Sequence, residues 1–231
     1  MENQPAQLLQ GKKTLIPITE LFKKTFGFYK TKVFLMMNLV LVSWAVTLVI
    51  GLVFGLPAVF LVWKQGGFGL FSLLLLLLAA LGIAVVHFWI QTALLCALQS
   101  KEAKLTVKNT LQEAKNKIGP YAWVVILGKL ITMAGLVLFI IPGIIFSVWF
   151  SLSCYVFIFE NKKGMQALKR SKELVKGYWW PIFGRILILG LVMCLVGWII
   201  KIGFLINALF IGPFALAYMY YVYEDLKSIK G

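Results

Sequence analysis

Ionisable and hydrogen-bonding side chains set inside long apolar runs are where this chain would do chemistry, and the sequence offers few of them. Lys129 is the single charge between Tyr121 and Phe159, and Glu160 closes that run. Arg185 sits a few residues inside the next apolar run. His87 and Gln91 are four apart in a stretch without charge, so they share one face of a helix. An ionisable group at membrane depth is costly and is a functional candidate by default. Two readings stand for Lys129. It lies only ~12 Å along a helix from Tyr121, so its long side chain snorkels toward the inner surface for topology or lipid-phosphate contact, or it lines a substrate or ion path. Glu160 would pair with Lys129 or Arg185 and lock helices together, or stand as a solvated boundary acid. His87 and Gln91 would form a polar site, or make one interhelical hydrogen bond.

Other chemistry finds little support. Cys96, Cys154 and Cys194 are isolated within apolar runs, without metal-ligand spacing and odd in number, which reads as small packing residues rather than a disulfide framework. The chain has one histidine and neither a phosphate-cradling glycine loop nor a zinc-protease motif. Glu160, Glu173, Glu224 and Asp225 fall near one face without a recognisable arrangement. The expectation is a non-enzyme with no cofactor and no metal.

The elements that position these residues follow from composition and charge. Of 231 residues, 61% are hydrophobic and 13% charged, whereas a soluble domain is about half apolar and about a quarter charged. Several uncharged runs exceed the ~20 residues that span ~30 Å of hydrocarbon. The net charge of +15 raises a nucleic-acid partner, but its distribution argues against one. All 23 basic residues except Lys64, Lys129, Arg185 and Lys201 fall in three clusters or at the chain end, and each cluster precedes a pair of apolar runs. That is the positive-inside pattern, so both termini and the two long loops are expected in the cytoplasm.

The expected architecture is all-α, with six transmembrane helices as three hairpins, each preceded by a basic amphipathic interfacial helix. One membrane domain, 1–231, divides into a disordered tail over 1–11, unit one over 12–98, unit two over 99–160 and unit three over 161–231. In unit one a helix from about Thr14 to Tyr29 lies in the interface. The first span runs near 33–55, an outer loop covers 56–66, and the second span runs near 68–98. In unit two the uncharged run is too long for one crossing, and Pro142-Gly143 makes the outer turn. In unit three Trp179 and Trp180 anchor the entry, the fifth span runs near 182–200, and the sixth runs near 204–221 with a kink at Gly212-Pro213. Units two and three echo each other: Leu111, Ala114, Lys115, Ile118, Tyr121 and Trp123 align without gaps on Leu168, Ser171, Lys172, Val175, Tyr178 and Trp180. Small-xxx-small pairs, among them Gly51/Gly55 and Ala208/Gly212, would let helices pack closely.

The stretch from Ile141 to Gly184 carries Pro142-Gly143, Glu160, Ala167-Leu168, Ser171 and Lys176-Gly177-Tyr178-Trp179. It resembles the membrane domain of bacterial glycerophosphodiester phosphodiesterases and related stand-alone six-helix inner-membrane proteins. The resemblance implies a bacterial inner-membrane bundle. It implies no catalysis, because hydrolysis in those enzymes belongs to a separate metal-dependent barrel.

The expected function is a non-enzymatic membrane protein that binds or organises lipid, or scaffolds a protein partner, through a basic cytoplasmic face. Anionic headgroups would meet Lys23, Lys24, Lys108, Lys115, Lys169, Arg170, Lys172 and Arg185, each charge worth ~1 kcal/mol near an anionic leaflet. The alternative is a small transporter or channel for a lipid or amphiphile, with Lys129, His87, Gln91 and Glu160 as an intramembrane polar site.

Overall fold

The computed structural model describes residues 15–99, 106–199 and 207–231. The tail over 1–11, Lys12, Lys13, Lys101, Lys104 and Lys201, and the start of the expected sixth span lie outside these residues. Among the described residues the fold is all-helical. Five helices are long and apolar enough to cross a membrane: Ile18–Gln65, Leu70–Gln99, Ile118–Leu138, Ile140–Glu160 and Trp179–Val196. This fits a multi-pass membrane protein. Large apolar side chains such as Leu48, Phe60, Leu74, Leu81, Val137 and Trp198 are exposed along these helices, forming surfaces that soluble monomers rarely present.

The first helix departs from expectation. Helix α1 (Ile18–Ile50) runs without a break through the segment expected to be a separate interfacial helix, because neither Gly nor Pro interrupts residues 28–50. A π-turn at Gly51–Gly55 joins it to α2 (Leu56–Gln65), so the expected outer loop over 56–66 is helical. The whole rod of 48 residues is ~72 Å long. Pro57 explains the π-turn, since its ring clashes with the carbonyl four residues back and a wider turn relieves the clash. The reversal comes only at Gly66, whose φ of +67° lies in the left-handed region. Helix α3 (Leu70–Gln99) then returns, close to the expected second span.

Helix α4 (Val107–Lys115) buries Thr110 and Ala114. Trp89 of α3 donates its Nε1–H to the Leu111 carbonyl of α4 at 2.9 Å. Helix α5 (Ile118–Leu138) and helix α6 (Ile140–Phe150) form a tight hairpin, and α7 (Ser153–Glu160) continues α6 after a break at Ser151–Leu152. The chain reverses at Phe139, which is extended (φ −159°, ψ 146°), and not at Pro142-Gly143. Pro142 instead occupies the first turn of α6, where a missing N–H costs nothing. Gly143 and Gly135 are needed for contact. A Cβ on Gly143 would sit 2.3 Å from Leu136 Cγ, and one on Gly135 would sit 2.6 Å from Phe146 Cδ2.

Helix α8 (Met165–Val175) buries Ala167, Leu168, Ser171, Leu174 and Val175. It is entered through Gly164, whose φ of +52° and ψ of −128° suit only glycine. The echo between units reappears in packing, with Ala114 and Ser171 both fully buried and Lys115 and Lys172 both exposed. Helix α9 (Trp179–Ile199) packs through Ile182, Arg185 and Leu189. The last helix, α10 (Gly212–Lys230), follows a second π-turn at Asn207–Ile211. Both π-turns end two residues before a proline, Pro57 and Pro213. The kink expected at Gly212-Pro213 is therefore a π-turn.

Candidate functional site

One end of the bundle gathers most of the described charge. Lys32 donates to the Ala97 carbonyl at 2.6 Å, the Ile16 N–H donates to Asp225 Oδ2 at 3.0 Å, and Tyr223 donates to Glu160 Oε1 at 3.0 Å. These bonds tie the segment entering α1 to α10, the middle of α1 to the end of α3, and the end of α7 to α10. Aromatic contacts reinforce the joint: Phe22 stacks with Phe214, and Phe159 with Tyr220.

Two arginines expected at lipid headgroups are consumed inside this end. Arg185 is 3% exposed and Asp225 is 6% exposed. They form an ion pair at 3.3 Å, and Arg185 Nη2 also donates to the Ile16 carbonyl at 2.5 Å. The pair thus clamps the segment entering α1. Sequence reasoning placed Arg185 by depth and had no signal for a partner 40 residues away. Arg170 meets Glu160 at 3.2 Å and Glu173 at 3.6 Å, and donates to the Gly231 carbonyl at 2.5 Å. Glu160 therefore pairs with Arg170 and with Lys162 at 3.4 Å, not with Lys129 or Arg185. Guanidinium forks suit such shared carboxylate geometry better than ammonium groups.

The lysines behave differently. Lys23, Lys24, Lys108, Lys115, Lys169 and Lys172 are all exposed. None of the six forms a salt bridge within the structure among the described residues. Lys172 lies 4.2 Å from the Trp149 ring centroid, while Ser171 donates to the Trp149 carbonyl at 2.6 Å. Lys117 is held by Glu113 at 2.8 Å. Partial burial opposes its charge, but the Glu113 hydrogen bond and nearby charges outweigh this, so its pKa is raised. At the chain end Lys230 donates to the carbonyls of Glu173 and Lys176. Burial, with Arg170 and Lys176 adding to it, lowers its pKa.

The residues expected to share an intramembrane site separate into different places. Lys129 lines an apolar groove of about 320 Å³ between α5 and the α6–α7 helix, walled by Val125, Gly128, Met133 and Phe150. Hydroxyls on this groove are spent on their own helices, with Thr132 donating to Gly128 and Ser153 to Phe150. Among the described residues Lys129 has no carboxylate partner. His87 and Gln91 instead line a second cavity of about 230 Å³ between α1, α3 and α10. Glu160 lies in neither cavity. Among the described residues no group of three or more His, Cys, Asp or Glu is placed to hold a metal ion. No protein-family model, no curated protein and no solved structure matches this chain.

Proposed function

We propose that the chain is a non-enzymatic inner-membrane protein that binds anionic lipid through its basic cytoplasmic end. The carrying observation is the division of labour among cations. The arginines are spent on internal carboxylates, whereas Lys23, Lys24, Lys108, Lys115, Lys169 and Lys172 are exposed and, among the described residues, without salt bridges. An internal structural role would call for carboxylate partners, and among the described residues the one internal contact shown by any of the six is that of Lys172 over the Trp149 ring. An anionic headgroup supplies the missing charge from outside.

The membrane topology in this reading has six spans, with α10 returning to the end where α1 begins. The bond from Ile16 to Asp225 supports that parity. With the lysines cytoplasmic, α4 and α8 lie at the inner surface, and the positive-inside rule sets the orientation. Lys129 extends the same chemistry into the membrane, where its groove would receive the acyl chain of a lipid whose phosphate meets the ammonium group.

The test is native mass spectrometry from mixed phosphatidylglycerol and phosphatidylcholine micelles. The wild type is expected to retain phosphatidylglycerol preferentially. Changing all six lysines to glutamine is expected to lower that retention at least tenfold, on the order of the ~1 kcal/mol per charge expected near an anionic surface. Equal retention of the two lipids by the wild type would refute the reading.

A further inference from the structure

We infer that the cavity between α1, α3 and α10 binds the carbonyl-bearing head of an uncharged membrane amphiphile. Four polar side chains converge on it: Ser43 and Trp44 from α1, His87 and Gln91 from α3. None of the four makes a hydrogen bond among the described residues. In hydrocarbon such groups must find partners, and the described residues offer none.

The chemistry of the set selects the ligand. All four side chains can donate a hydrogen bond, whereas Trp44 cannot accept one. The cavity therefore favours a ligand with acceptor oxygens. Among the described residues no Asp, Glu, Lys or Arg lines it, so a charged head would be buried without a counter-ion from them. A carbonyl group meets both conditions.

Size and depth agree. The volume of about 230 Å³ is several times the ~30 Å³ share of one water. It lies below the ~300–1,000 Å³ of pockets that enclose a whole drug-sized ligand, so a head fits and a tail stays outside. His87 is exposed and leaves that side open to lipid. The bond from Lys32 to the Ala97 carbonyl marks the charged boundary, and Gln91 and His87 lie ~9 and ~15 Å beyond Ala97 along α3. This depth lies within the ~30 Å hydrocarbon layer, where an uncharged head is favoured over a charged one. Gly212 and Pro213, just after the second π-turn, add a wall with little side-chain bulk beside the aliphatic Val40, Ile90, Leu94 and Leu216.

This inference rests on the membrane reading but not on the lysine surface. Two sources share the chemistry, the ester carbonyls of a diacylglycerol and the ring carbonyls of a quinone. The experiment adds 1,2-dioleoylglycerol or decylubiquinone to the whole protein in phosphatidylcholine nanodiscs. Adducts are counted by native mass spectrometry and Trp quenching is followed in parallel. One equivalent of one probe is expected on the wild type. Retention should fall at least tenfold in His87→Phe/Gln91→Leu and stay unchanged in Lys169→Gln/Lys172→Gln. If the apolar double variant does not insert, Ser43→Ala and Trp44→Phe serve, each expected to lower retention, with Trp44→Phe also removing most quenching by the quinone. Dioleoylglycerol retention assigns a lipid ester, and quinone retention assigns a quinone. Retention of neither probe by the wild type, or equal retention by wild type and site variants, would overturn the inference and leave the cavity to water.

Discussion

Arg185 and Asp225 are separated by 40 residues in sequence, yet the two are buried against each other. Removing one partner from such a pair leaves an uncompensated charge and costs about 3–5 kcal/mol, whereas replacing both with apolar groups can be nearly neutral. Arg185→Met is therefore expected to lower stability in detergent by about that much, and Asp225→Leu likewise. The double variant should recover most of the loss. Denaturant titration of the four proteins checks this, and additive losses would show that the pair does not act as a unit. The sequence made these residues visible as charges near apolar runs. It left their partners open, because pairing depends on how α9 and α10 cross, and no local pattern encodes that. For the same reason Glu160 was legible as a helix-closing acid while its bond to Arg170 was not.

Two kinds of close fit shape the elements. The α5–α6 hairpin depends on bare backbone at Gly143, so Gly143→Ala should cost about 1–3 kcal/mol from overpacking against Leu136. Gly27→Ala in α1 meets nothing within 4 Å and should gain up to about 1 kcal/mol from helix propensity. Comparison of the two melting curves separates local crowding from a general intolerance of change. The π-turns are the second kind. Tyr29 donates its hydroxyl to the Phe210 carbonyl at 3.0 Å within the turn before Pro213. Tyr29→Phe should cost about 0.5–1.5 kcal/mol, but much less once Pro213→Ala lets the turn tighten into α-helix. A double-mutant cycle reads this coupling. Hydropathy exposed the helices themselves, with α3, α5 and α9 near their expected places. It misplaced the turns around Pro57 and Pro142, because a proline breaks a helix only where its missing hydrogen bond cannot be absorbed. A π-turn absorbs the first, and a first-turn position absorbs the second.

At the scale of the molecule, both described extremities meet at one end. With Cys96, Cys154 and Cys194 replaced, Ser228→Cys should react with a membrane-impermeant maleimide only from the cytoplasmic side, and Gln65→Cys only from the other. Labelling of both from one side would dismiss the six-span reading. The three charge clusters are what the expected polarity rests on, and this labelling tests it. What they did not reveal is that the basic end is also the packed end, because burial there arises from segments far apart along the chain. The closure of that end has a bearing on biogenesis. Asp225 is made long after Ile16 and Arg185, yet it bonds to both. Until residue 225 is synthesised, the first helix lacks its latch and an arginine waits unmatched in the bilayer. A nascent chain halted before that point would lack both contacts, so this end of the bundle can close only after residue 225 has been made.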